Sequence, residues 1–152
     1  MWVDTEDRAI KYSDKIVISV KPKGQASIVH RCLELGFSGH FYLEKPLSNS
    51  PAESEALLDL LDIHSVDYSV GYSFLYLDTI QEIFKNCSPK KVIKIEWHFM
   101  AHHFANRLKN WKRHEIEGGG VLRFYGIHIL ALLANHGYFG VVNSKLTGKK
   151  LG

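Results

Sequence analysis

Lys45 stands in the stretch YLEKPLS, residues 42–48, between Glu44 and Pro46. A lysine held at a tight turn can donate a proton or a hydrogen bond to a substrate oxygen, and its neighbours tune its pKa. Pro46 cannot continue a strand ladder and fixes the turn. By residue type alone, Lys45 also fits a solvated charge beside its own glutamate. His128 closes the stretch GGGVLRFYGIH. Its ordinary pKa lies near neutrality, which suits general acid or base work. Phe124 and His128 are four apart and share a helix face. The glycines before them, Gly118, Gly119 and Gly120, permit close backbone approach to a ligand and a sharp entry into the next helix. The bland alternative for His128 is a satisfied core or helix-surface histidine. His98, His102 and His103 invite a metal reading, but their spacing fits no zinc pattern with cysteines, and no metal is expected.

The elements that must position these residues come next. DKIVISV (14–20) is a nearly continuous apolar run, the pattern of a strand covered on both faces of a parallel sheet. QASIVHRCLELG (25–36) has helical apolar spacing and stops at Gly36. FYLE (41–44) reads as a second strand. In SPAESEALLDLLDIH (50–64), Ser50 caps a helix, Pro51 fits its first position and Glu53 completes a capping box. VDYSVGYSF (66–74) reads as a third strand. The resulting βαβαβ order predicts a parallel α/β sheet.

The pattern then changes. LDTIQEIFKN (77–86) predicts a short amphipathic helix. KVIKIEWHFM (91–100) alternates, with Ile93, Ile95, Trp97 and Phe99 on one side, as in a half-exposed antiparallel strand. Residues 102–120 predict a loop with a helical piece. Residues 121–137 predict an apolar helix ending at Gly137, and VVNSKLTG (141–148) a further strand. The chain accordingly divides near residues 75–90 into regions 1–75 and 76–152.

The whole sequence sets the bounds. Its 152 residues are enough for one domain with a real core. The formal net charge of +3 and the lack of a dense basic run imply no nucleic-acid partner. No apolar stretch approaches the roughly 20 residues of a membrane span, and MWVDTEDRAI has no signal-peptide character. Cys32 and Cys87 form no CxxC and read as buried free thiols of a cytoplasmic protein.

Taken together, IVISVKP, LEKPLSNSPAESEALLDLL, VGYSF and NWKRHEIEGGGVLRFYGIHIL resemble the Gfo/Idh/MocA family of NAD(P)-dependent sugar and inositol oxidoreductases. The resemblance runs from about residue 14 onward. It implies the C-terminal half of a Rossmann-like parallel sheet followed by part of an α+β domain with an open, mostly antiparallel sheet. It implies NAD or NADP as cofactor, facing Pro22, Glu44, Lys45 and Pro46. It implies a sugar-type or sugar-nucleotide substrate near Trp111, Gly119, Gly120 and His128. Lys45 and His128 are the implied catalytic pair, handling the hydroxyl proton while a hydride moves between nicotinamide and a sugar carbon.

Departures from the family pattern accompany these matches. The G-x-G-x-x-G turn that cradles the cofactor pyrophosphate is absent from the sequence. Phe124 and Ala131 stand where the family carries aspartates around its histidine. The arginine often found after VGY is replaced near Phe74 and Leu75, and an insertion around Ser38 and Gly39 precedes the EKP strand. With the phosphate cradle absent, independent dehydrogenase activity is not expected of this chain alone. A partial or divergent oxidoreductase, a non-catalytic binding or assembly module and a truncated gene product are the readings left open. Apolar surface on strand 14–20 and on residues 93–99 predicts a homo-oligomer or a partner chain.

Overall fold

The computed structural model describes residues 4–85, 92–145 and 147. Three strands form one parallel sheet in the order β1 (Lys15–Ile18), β2 (His40–Leu43), β3 (Tyr68–Val70). The register aligns Ile16 with Phe41, and Phe41 with Tyr68. One step along, Ile18, Leu43 and Val70 lie side by side. Side chains alternate along a strand, so these six share one face.

Helices α2 (Pro22–Glu34) and α3 (Pro51–Ile63) are the crossovers between the strands. Val29 and Cys32 from α2, and Leu57 and Leu61 from α3, join Ile18, Phe41 and Leu43 in one buried cluster. A short leading helix, α1 (Glu6–Lys11), adds Ile10 to it. Burial lifts the Cys32 thiol above its ordinary pKa. Cys87 lies outside the described residues.

The parallel α/β expectation holds, with an instructive difference at its edge. β1 is not covered on both faces: Val17 is 69% and Tyr42 on β2 is 39% exposed. The strands follow one another in a single direction. Right-handed crossovers then place both helices on the same side, and the opposite face stays open.

Helix α3 starts where its sequence signals say. Ser50 is the cap, its side chain accepting from the Glu53 N–H at 3.2 Å, with Pro51 in the first turn. The reciprocal half of the expected capping box is made differently. The Ser50 N–H donates to Ser48 Oγ at 3.3 Å, so a second serine takes the place expected of Glu53.

After β3 the chain makes a 3₁₀ turn (Ser73–Tyr76) and α4 (Asp78–Phe84). The strand expected over 91–100 is not formed in its described part, residues 92–100, which carry no ladder pairing. Alternation marks two sides of an extended chain, but a strand also needs a neighbour for its backbone groups. Here aromatic stacking holds the segment: Trp97 lies on Phe74 at 4.9 Å, and Phe99 on Tyr125 at 4.6 Å. The strand expected over 141–148 is likewise not formed at 141–145 or 147, and residues 146 and 148 lie outside the described residues.

Residues 102–117 supply α5 (His102–Ala105) and two 3₁₀ turns, Trp111–Arg113 and Glu115–Glu117, as a loop with helical pieces. The helix expected over 121–137 opens with a π-helical turn, Val121–Gly126, before α6 (Ile127–Asn135). Among the described residues, no helix is long and apolar enough to cross a membrane.

Candidate active site

The turn after β2 is fixed from below by a residue the sequence did not advertise. Gln25, on α2, is fully buried. Its amide nitrogen lies within hydrogen-bond distance of the carbonyls of Glu44 (2.8 Å), Pro46 (3.0 Å) and Leu47 (3.3 Å). Its side-chain oxygen accepts from the Glu44 N–H at 3.0 Å. One amide therefore satisfies the backbone on both sides of Lys45, in a place water does not reach. The Lys45–Pro46 peptide within this turn is cis.

Held in this way at the carboxyl end of β2, Lys45 reaches across to the second half of the chain. Its Nζ donates to the Phe124 carbonyl at 2.7 Å and sits 4.1 Å from the centroid of the Phe124 ring. Burial lowers its pKa, the nearby Glu44 carboxylate opposes that change, and the Lys112 charge adds to it. Lys112 Nζ lies 5.2 Å from the centroid of the same ring. Trp111 packs edge-on against that ring at 5.5 Å.

His128 lies one helical turn beyond Phe124. Its ring stacks on Phe74 at 4.8 Å, and its Nδ1 is buried without a hydrogen-bond partner among the described residues. Burial, with the Lys45 charge as the second cause, pulls its pKa down to about 4. The imidazole is therefore neutral at pH 7. It is an unprotonated but weak base there, and among the described residues no carboxylate raises its basicity.

The glycine stretch behaves differently from its sequence reading. The close approach is made to the chain itself rather than to an open cleft. A Cβ on Gly118, whose φ is +84°, would meet the Ser48 carbonyl at 3.0 Å and the Pro22 ring at 3.2 Å. One on Gly119 would overlap the Trp111 carbonyl at 2.2 Å, and one on Gly120 the Glu115 side chain at 2.6 Å. The triplet thus clamps the loop carrying Trp111 and Lys112 onto the turn carrying Lys45. Arg123 adds a tie, donating from Nη2 to the Ser48 carbonyl at 3.0 Å.

Pro22, Glu44, Lys45, Pro46, Trp111, Gly119, Gly120 and His128 therefore belong to one neighbourhood, contributed by both halves of the sequence. Sequence reasoning missed Gln25, Lys112 and Arg123. For Gln25 the available signal was its place one turn into the helix that follows β1, since helices after parallel strands pack under the neighbouring strand end. The three histidines do not gather: His103 is buried beside His102, while His98 pairs with Glu96 at 3.0 Å. Among the described residues, no group of three or more His, Cys, Asp or Glu is placed to hold a metal ion.

No family model matches the chain, and no curated protein matches it. Among solved structures, the chain is similar to an NAD-binding protein from Listeria innocua, with a TM-score of 0.56 and 16% identity. The match covers 90% of this chain and 40% of that protein, so the chain spans less than half of its length. At that identity the likeness shows the fold, a Rossmann-like α/β arrangement around a parallel sheet.

Proposed function

We propose that the chain carries the nicotinamide- and substrate-facing part of an NAD(P)-dependent oxidoreductase of the Gfo/Idh/MocA type, acting on a sugar-type substrate. The observation that carries this reading is the placement of Lys45, whose Nζ meets the Phe124 carbonyl one helical turn before His128. Lys45 is fixed at the carboxyl end of a parallel strand, where α/β folds bind ligands, and its charge reaches His128 from the other half of the chain. The fold likeness to a protein described as NAD-binding supports it.

Part of the implied cofactor-facing set fits. Glu44 and Lys45 keep some exposure and would face the nicotinamide, whereas Pro22 and Pro46 are buried within the chain and shape the turn from below, and the 152 residues hold no G-x-G-x-x-G turn for the pyrophosphate. When bound, the nicotinamide supplies hydride acceptance or donation. The chain's own groups supply the proton chemistry. Neutral His128 takes the proton of the substrate hydroxyl, and the Lys45 ammonium stabilises the negative charge that develops on its oxygen. Phe74, stacked on the imidazole, holds its plane and keeps water off that side.

A second reading, a binding module without catalysis, is favoured by one observation: the Lys45 proton is already engaged by the Phe124 carbonyl. Calorimetric titration with NAD(H) and NADP(H) separates the two. Micromolar binding supports the oxidoreductase reading, and Lys45→Ala and His128→Ala are then expected to lower turnover by about 10²–10⁴-fold. No binding at millimolar cofactor would sink it and leave the binding module.

A further inference from the structure

Two cations share one aromatic ring at this site. Lys45 and Lys112 both lie within 5.2 Å of the centroid of the Phe124 ring. Among the described residues, neither ammonium is in an ion pair. An aromatic face is a weak substitute for a carboxylate, since a ring offers a quadrupole where an anion offers a full charge. Arg123 brings a third cation to the same π-helical turn, its guanidinium on the Ser48 carbonyl. Glu44 is the acid whose charge is felt at Lys45.

From this arrangement we infer that the substrate carries an anionic group, a carboxylate or a phosphate, which binds between Lys45 and Lys112 beside the Phe124 ring. The inference rests on the oxidoreductase reading for the word substrate, and on the two lysines and the ring for the site itself. It narrows the sugar-type ligand to a sugar acid or a sugar phosphate.

Two features of the site support it. Lys45 already donates to a peptide carbonyl, so a neutral hydroxyl arriving there exchanges one neutral acceptor for another and gains little. A carboxylate or phosphate oxygen replaces the carbonyl with a charge-assisted bond roughly twice as strong. His128 is the second feature. Its buried Nδ1 has no hydrogen-bond partner among the described residues, and it sits within the field of Lys45. An anion beside Lys45 cancels part of that field and restores basicity to the imidazole when the ligand is in place.

The test is equilibrium binding without nicotinamide, so its outcome is independent of whether the chain holds the cofactor. The probes are D-glucuronate, D-glucose 6-phosphate and D-glucose, titrated calorimetrically at low ionic strength. At least one anionic probe is expected to bind about tenfold or more tightly than glucose and to weaken as sodium chloride is added. Preference for glucuronate assigns a carboxylate, and preference for the phosphate ester assigns a phosphate. Lys112→Ala is expected to lose about tenfold in affinity, while Lys109→Ala, the same charge change at an exposed position, keeps the parent value. Glucose binding as tightly as the anions, no binding of any probe, or equal losses in the two variants would each overturn the proposal.

Discussion

The two halves of the molecule are held by different physics. From Lys15 to Val70 the chain has a fully buried apolar cluster on one face of its sheet: Val29, Cys32, Phe41, Leu43 and Leu61 have no exposed surface. From Val92 to Gly140, Leu132 and His103 are buried, along with Gly118–Gly120, while Leu122, Leu130 and Phe139 face solvent. There the joints are stacked rings and a few polar ties, Lys45 to the Phe124 carbonyl and Arg123 to the Ser48 carbonyl. The site lies on the seam. One side of it is set by a core that tolerates little movement. The other is set by contacts worth about 0.5–1.5 kcal/mol apiece. Lys45 is therefore the fixed member of the site, and Phe124, Lys112 and His128 are the members that yield.

This contrast is most easily broken in the core. Phe41→Ala is expected to cost about 3–5 kcal/mol and to expose the amides of β1, β2 and β3 together in hydrogen exchange. Leu132→Ala, a smaller truncation of about 2–3 kcal/mol, is expected to erase the near-UV signal of Trp97 and Trp111 while those strand amides stay protected. Equal deprotection of the strands by both changes would mean one cooperative unit and end the distinction.

The seam itself is sharpened by Gln25→Leu. The apolar side chain leaves the Glu44 N–H and three carbonyls without their partner, at a cost of about 2–4 kcal/mol in urea denaturation. A cost near zero would show that the turn after β2 stands without it.

The smallest effect comes from His128. Its pKa of about 4 in the folded chain lies below the unfolded value of about 6.5. The unfolded state then binds more protons between those values. The stability linked to His128 is fully present above pH 6.5 and is lost as pH falls towards 4. For a half-buried ring screened by solvent the loss is about 1–2 kcal/mol. The difference between parent and His128→Phe, measured by denaturation at pH 7 and pH 4.5, isolates it. A difference that does not change with pH would overturn the assignment.

How much of this was legible follows the same division. β1, β2, β3, α2 and α3 rest on local signals, such as the apolar run 16–18 and the Ser50–Pro51 start, and these survived folding intact. Residues 92–100 show the limit: their alternation was real, but strand formation depends on a neighbouring strand that no local pattern supplies. Gln25 was missed because a glutamine in sequence reads as a surface residue. The tie from Lys45 to Phe124 was invisible for another reason. Its acceptor is a main-chain oxygen, which every residue type carries. Lys45 and His128 stood out by residue type and position, and the family likeness joined them as a pair. Phe124 was noted there as a missing acid, whereas the structure gives it a ring and a carbonyl that both meet the lysine.

The hydrogen bond from Lys45 to Phe124 joins residues 79 apart in the chain, and that from Arg123 to Ser48 joins residues 75 apart. The sheet closes much shorter loops, such as Lys15 to His40. Loop-closure entropy makes the longer closures costlier by about 1 kcal/mol. They also bring little apolar burial to offset it. The order of assembly during folding follows: sheet and crossover helices first, seam last. On warming the sequence reverses, so binding competence is expected to fade at temperatures where the sheet is still intact.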